Sequence, residues 1–272
     1  MFREQKGEID ENICPELSVL ILTKDRPALL TRAVTSISKQ NFEGRIQVLI
    51  VGDDCPYVKP AMFGAEFPQL HLRLINISGD IFNDVSTLER IARLRNLALS
   101  QVSTEYIAFL DDDNQWAQNH LSSLYKTMIE TGCPAVHSWR ILVDEHDQEI
   151  VVDSFPWLQD RIRAVERFEI SVELGLMSEG VAVVRDRHEA VYNYVDYGMV
   201  DCGEWLFRRS LFQRFGFRTD FSKEDDIYMI GEDDKLLLDL KKKRVPIACT
   251  QIPTLFYTLG GMSNHYTGKI IG

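Results

Sequence analysis

The feature that most constrains the fold is a repeated order of a short apolar run, a polar or acidic turn, and then a segment of helical period. Leu17–Leu22, Ile46–Val51, Leu70–Ile77 and Tyr106–Leu110 are apolar runs of strand length. Pro27 opens a helical pattern that sets Leu30, Ala33, Val34 and Ile37 on one face. Ser86-Thr87-Leu88-Glu89 has capping-box spacing, and Leu88, Ile91, Ala92, Ala98 and Leu99 follow at roughly helical intervals. A further helix is expected over about Ala117–Glu130. Strands separated by helix-length segments predict an α/β fold with a doubly wound, mostly parallel central sheet.

The second half is less regular. Ile141–Val143 and Ile150–Val152 flank a polar turn and predict a hairpin. Arg163–Leu174, Leu206–Phe215 and Asp234–Lys242 read as helices, and Ile247–Thr250 reads as a short strand. No repeat, low-complexity tract or linker interrupts the chain. Its 272 residues, 45% of them hydrophobic, suit two fused lobes sharing one sheet.

Charge and cysteine usage narrow the partners. There are 30 basic and 41 acidic residues, a formal net charge of −11, which disfavours a bulk field for nucleic acid or an anionic membrane. The five cysteines are far apart, odd in number and without a C-x-x-C pair. Reduced thiols in a cytoplasmic protein are the simplest reading. Met1–Glu16 is a polar extension without a signal-length apolar stretch, and no run is long enough to span a bilayer. A membrane-bound substrate would be visited from outside.

The chemistry is expected where the apolar runs end. The four endings are Thr23-Lys24-Asp25-Arg26, Gly52-Asp53-Asp54-Cys55, Ser78-Gly79-Asp80 and Asp111-Asp112-Asp113-Asn114. Ligands of open parallel sheets bind outside the carboxyl ends of the strands, so these turns predict one crevice. Three adjacent carboxylates repel one another unless a positive group or strong donor lies among them. In an extended segment, Asp111 and Asp113 face one way and Asp112 the other. Such a cluster can hold Mg2+ or Mn2+ on one face and a hydroxyl or water on the other. A solitary acidic triplet reads more readily as a solvated turn. The buried run before it and the second acidic ending at Asp53-Asp54 favour a site. Arg95 is either on an exposed helix face or a cation near phosphates. Cys55 reads as a small turn residue.

In combination these segments resemble the GT-A glycosyltransferases of family 2. The resemblance rests on Leu17–Arg26 (LSVLILTKDR), Val48–Cys55 (VLIVGDDC), Arg95–Leu99 (RNLAL) and Tyr106–Trp116 (YIAFLDDDNQW). Gly231-Glu232-Asp233-Asp234 and the leucine-rich segment after it resemble the family's later Glu-Asp motif. The resemblance implies a GT-A, Rossmann-like sheet flanked by helices, with a nucleotide-sugar-binding part over 17–116 and a fused acceptor-binding part over 117–272. It also implies inverting, metal-dependent transfer of a sugar from a nucleotide diphosphate, a UDP-sugar being favoured, to a hydroxyl-bearing acceptor.

Residue by residue, the resemblance sets Thr23, Asp25 and Arg26 beside the base and ribose, and Asp53 on the base, with Asp54 the alternative because the acidic pair stands one position late. Asp112 would hold the ribose. Asp113, with Asp111 beside it, would carry Mn2+ or Mg2+ in this DXD-type motif, and late histidines of the family make His265 a further metal ligand or a tail residue. Arg95 matches a donor-side position. Asp233 would be the general base, with Glu232 orienting it or binding acceptor. Gly203, Glu204 and Trp205 either line the acceptor side, with the indole stacked on a sugar, or form a turn with a core tryptophan. Lys241–Arg244 reads as a solvated helix end or as a contact with anionic lipid, which would place the protein peripherally at the inner membrane surface. Two other readings share parts of this pattern. A sugar-phosphate nucleotidyltransferase is disfavoured by the missing Gly-rich phosphate loop, and a noncatalytic nucleotide- or sugar-binding module by the presence of both Asp113 and Asp233.

Overall fold

A computed structural model describes residues 16–56, 58–59, 63, 66–228, 230–260 and 270–271. Along the first half run β1 (Glu16–Thr23), α1 (Pro27–Ser38), β2 (Arg45–Asp53), β3 (His71–Ile77), α2 (Thr87–Ser100), β4 (Tyr106–Phe109) and β5 (Gln115–Trp116). Then come α3 (His120–Thr131), β6 (Ala135–Val143), β7 (Val151–Val152), α4 (Arg161–Glu173), β8 (Val183–Val184), β9 (Val191–Tyr192) and β10 (Val195–Asp196). The chain finishes with β11 (Trp205–Arg208), α5 (Lys223–Tyr228), α6 (Glu232–Lys242), β12 (Ile247–Thr258) and β13 (Ile270–Ile271).

The central sheet has the order β3-β2-β1-β4-β11-β6-β12-β5, with β8 on the free part of β6. The pairs β2–β3, β1–β2, β1–β4 and β6–β12 are parallel, whereas β11, β5 and β8 run against their neighbours. Strands of both halves of the chain therefore lie in one sheet. Alternation along β1 divides its side chains between two layers. Leu17, Val19 and Ile21 join the layer holding Leu30, Val34 and Ile37 of α1 and Leu121, Leu124 and Met128 of α3. Leu20 faces the opposite layer, with Ala92 and Ala98 of α2 and Leu236, Leu237 and Leu240 of α6. Ser86 caps α2 as its spacing predicts, its Oγ accepting from the Glu89 N–H at 3.2 Å.

One expectation for the second half is corrected. Leu206–Phe215 does not form a helix. Trp205–Arg208 is a strand, with Leu206 and Phe207 buried between β4 and β6, and a single 3-10 turn follows at Arg209–Leu211. A short apolar run buried on both faces has no period that separates strand from helix. The expected hairpin is present but short: Val143 and Glu149 form an antiparallel bridge and the Ile150 N–H donates to the Leu142 carbonyl at 2.9 Å, while Val151–Val152 pairs with Ile270–Ile271. Among the described residues, no helix is long and apolar enough to cross a membrane.

Candidate active site

β1, β2 and β4 end on the same side of the sheet and deliver their polar endings together. Thr23 Oγ1 donates to Asp112 Oδ2 at 2.7 Å. Arg26 spans the acidic turn, with its two terminal nitrogens 2.7 Å from Asp112 Oδ1 and 2.7 Å from Asp113 Oδ2. Asp112 is 1% exposed, and burial pushes its carboxyl up to about 7 against the pull of Arg26 and Thr23. Burial and the adjacent Asp111 push Asp113 up as well, and Arg26 opposes them. The triplet is pinned from behind by β12, where Thr258 Oγ1 donates to the Asp113 carbonyl at 2.6 Å and the Thr258 N–H donates to Asn114 Oδ1 at 2.9 Å.

Asp53, at the end of β2, is buried and held by Arg90 of α2, whose Nε lies 2.8 Å from both carboxylate oxygens, and by Lys24 at 3.3 Å. Burial would raise this carboxyl, but the Arg90 and Lys24 contacts outweigh it and hold it below its usual range. Asp54 is exposed in a left-handed turn. Asp53 is thus the member of the pair that is held within the fold. Arg90 is a site residue that the sequence reading missed. Asp25 is exposed, also with a positive φ, between Thr23 and Arg26.

Arg95 joins this edge to α6. Its buried guanidinium lies 2.9 Å from Asp111 Oδ1 and 2.8 Å from Glu232 Oε1, with the rings of Phe109 and Phe217 each within 6 Å. It therefore lies between the acidic turn and the start of α6, not on an exposed helix face. Beside Glu232, Asp233 is half-buried and accepts from the Asp234 N–H at 2.9 Å. Burial, then the like charges of Asp234, Glu232 and Asp201, push its carboxyl well up.

The residues expected on the acceptor side are core residues. Trp205 is 1% exposed and packs against His137 and Phe207, so its indole offers no open face to a sugar. Gly203 gives its carbonyl to the Trp116 indole N–H at 2.8 Å, and a Cβ there would come within 3.2 Å of Leu255. Glu204 is wholly buried, accepts from the Asp201 N–H at 2.8 Å, and is raised by burial and by Asp186. The physical reason is the course of β11, which carries these residues into the centre of the sheet. Nearby, Arg140 pairs with Asp186 at 3.0 Å and with Asp201 at 3.3 Å, beneath the rings of Trp157 and Tyr257.

No group of three or more His, Cys, Asp or Glu side chains converges as a metal cage among the described residues. The donor set nevertheless fits a hard cation. Asp111 and Asp113 offer carboxylate oxygens, one of Asp111 turned to Arg95 and one of Asp113 turned to Arg26. Phosphate oxygens and water would complete such a shell, as is common for Mg2+. His265 lies outside the described residues. Of the basic run, Lys241 is tied to Asp196 at 2.6 Å and Lys243 sits over Phe215 at 5.2 Å, so two of its four charges already have partners within the fold.

Residues 85–216 match the family model for glycosyl transferase family 2. No curated protein sequence matches the chain. Among solved structures, the fold is similar to that of TarS residues 1–349 from S. aureus in complex with UDP, with a TM-score of 0.55 and 14% identity over 90% of this chain and 60% of that one. It is also similar to the mannosyltransferase PcManGT from Pyrobaculum calidifontis in complex with GDP-Man and Mn2+, with a TM-score of 0.57 and 17% identity over 97% of this chain and 62% of that one. The chain thus spans about three fifths of the length of these structures. The solved structures bear out the GT-A fold, and residues 85–216 are similar to glycosyl transferase family 2.

Proposed function

With a family 2 glycosyltransferase match in a GT-A fold as the premise, we propose that the protein transfers a sugar from a nucleotide diphosphate donor to an acceptor hydroxyl with inversion of the anomeric centre. The observation that carries this reading is the Arg95 bridge. It brings the acidic turn at Asp111 and the Glu232–Asp233 pair of α6 to the two ends of one guanidinium. Donor-side and acceptor-side chemistry are thereby held at a fixed separation, the condition for an in-line displacement.

In this reading Thr23, Asp25, Arg26, Asp53 and Asp112 bind the nucleoside, with Arg90 holding Asp53. Asp111 and Asp113 hold Mn2+ or Mg2+, which when bound stabilises the negative charge that builds on the departing diphosphate. Asp233 takes the proton from the acceptor hydroxyl as its oxygen attacks the anomeric carbon. The bond from that carbon to the diphosphate oxygen breaks, and its electrons leave with the nucleoside diphosphate. The burial and the like charges that raise Asp233 make it a stronger base than an ordinary carboxylate. UDP-sugars are the first donors to test, since UDP and UDP-GlcNAc are bound by TarS, with GDP-Man as the comparison.

The test is turnover of a nucleotide-sugar panel by the full chain, with Mn2+ and with chelator. Release of nucleoside diphosphate is expected to need the metal and to vanish in Asp113→Ala. Asp233→Asn is expected to keep donor affinity and lose transfer by about 10²–10⁴-fold. Full activity in Asp233→Asn, or metal-independent binding with no turnover, would overturn the reading.

A further inference from the structure

The short hairpin β9–β10 stands apart from the central sheet as a two-stranded ribbon of its own. Its base is fastened to the body. The Tyr197 N–H donates to the Ala190 carbonyl at 2.8 Å, Arg187 and Met199 form an antiparallel bridge, and the Arg167 guanidinium lies 3.8 Å from the centre of the Tyr197 ring. The tip is bare. Val191 is 55% exposed, Val195 is 56% exposed, and Tyr194 is fully exposed. Tyr192 pairs with Val195, so Asn193 and Tyr194 make a two-residue turn, and both have a positive φ, 47° and 66°. Such a turn favours Asn followed by Gly, and a bulky ring at its second position is strained. A strained aromatic residue left in solvent is a feature of a docking tip more than of a plain turn.

The shape of the tip identifies its partner. In an antiparallel ribbon Val191 and Asp196 share one face, and Tyr192 and Val195 the other. The exposed apolar groups therefore lie on both faces and at the end. A folded partner docked on one face would leave the other wet, whereas a bilayer interface surrounds the whole tip. Two strand residues reach about 7 Å, within the ~5–10 Å depth of the boundary between headgroups and acyl chains. At that depth a tyrosine ring is withdrawn from water while its hydroxyl stays among polar headgroups.

Charge beside the tip selects the kind of bilayer. Lys241 Nζ lies 2.6 Å from both carboxylate oxygens of Asp196, which joins the ribbon to the end of α6 and neutralises the acid at its foot. Lys242, Lys243 and Arg244 follow directly, all exposed, and among the described residues none of the three has a carboxylate within 4 Å. The contact of Lys243 with the Phe215 ring leaves its charge in place. Asp239, one turn earlier, acts on Arg218, Glu189 is paired with Arg187 at 3.0 Å, and Glu173 is hydrogen-bonded to Tyr192. Leu238, exposed and three residues before Lys241 on the same side of α6, extends the apolar part. A chain of net charge −11 can meet an anionic membrane only through a local patch of opposite sign. We propose that the β9–β10 tip and Lys242–Arg244 together dock the protein on an anionic lipid bilayer, with Tyr194 entering the interface and the three cations facing the headgroups. This docking does not rest on the transfer reading above.

The test is flotation of the full chain with vesicles of phosphatidylcholine alone and of phosphatidylcholine mixed with phosphatidylglycerol. Binding is expected on the mixed vesicles and not on the neutral ones, and is expected to weaken as salt is raised. Tyr194→Gly removes the ring and supplies the residue this turn prefers, so its urea midpoint should be no lower than the parent's while its vesicle affinity falls about tenfold. Lys242→Gln combined with Arg244→Gln should weaken binding about fivefold for each charge removed. Tyr194→Trp should gain a blue-shifted emission on mixed vesicles that lipid with brominated acyl chains quenches. No binding to mixed vesicles, equal binding to both kinds, or a Tyr194→Gly variant that binds as well as the parent overturns the proposal. Self-association of the parent in sedimentation equilibrium that Tyr194→Gly abolishes would give the tip to a second copy of the chain, and overturns it as well.

Discussion

Replacing Arg95 with alanine leaves Asp111 and Glu232 without the cation that joins them and opens space against Phe109 and Phe217. Loss of one partner from a buried charge pair costs about 3–5 kcal/mol, so Arg95→Ala should unfold at markedly lower urea concentration. Arg95→Lys restores a charge without the fork that reaches both carboxylates, and should recover only part of that stability. Equal urea midpoints for the parent and Arg95→Ala would remove the bridge from the account. At this scale the sequence was legible where a motif names a position, as with Thr23, Arg26 and the acidic triplet. It was silent on Arg90. Arg90 and Arg93 lie in one helical turn of similar composition, and only the docking of α2 on the sheet sends the first to Asp53 and the second to surface Glu89.

At the scale of elements, α3 is fastened to β12 through its first residue. His120 is wholly buried, its Nδ1 lies 2.7 Å from Thr254 Oγ1, and its ring stacks on Trp116 at 4.4 Å. Burial drives this imidazole down to about 3. The unfolded chain binds a proton at His120 below about pH 6.5, whereas the folded chain does not until far lower. The contribution of His120 is therefore present above pH 6.5 and lost as the pH falls, with a slope of about 1.4 kcal/mol per pH unit. Urea titrations at a series of pH values should show the stability of the parent relative to His120→Gln shrinking between pH 6.5 and 4. A constant difference would contradict the assignment. Helices α1, α2 and α4 were readable because their apolar period matches one buried face, and strands β1 to β4 because each is an apolar run of strand length closed by a polar turn. Trp205–Arg208 was not, since burial on both faces erased the alternation, and tertiary pairing decided the outcome.

The whole molecule carries a formal net charge of −11, yet its proposed donor is an anion. Without a divalent cation, long-range repulsion should slow donor association, and salt should relieve it. Raising salt from about 10 to about 150 mM shortens the screening length from about 30 to about 8 Å. Stopped-flow binding of a fluorescent UDP analogue in chelator should accelerate over that range, and a slowing would mean that the crevice presents a net positive field. The class of fold was legible at this scale because strand endings recur in one order. The pairing of β12 on β6 was not, because no local motif connects these two strands.

Strand order also sets a timetable for synthesis. β11 separates β4 from β6 in the finished sheet, but in the chain it follows both. A ribosome therefore delivers β1 to β4, and later β6, before the strand that joins them exists. Until Trp205–Arg208 emerges, β4 and β6 each present a bare edge to other nascent chains. A message truncated before Trp205 should yield insoluble product, however complete its nucleotide-binding segment looks on paper.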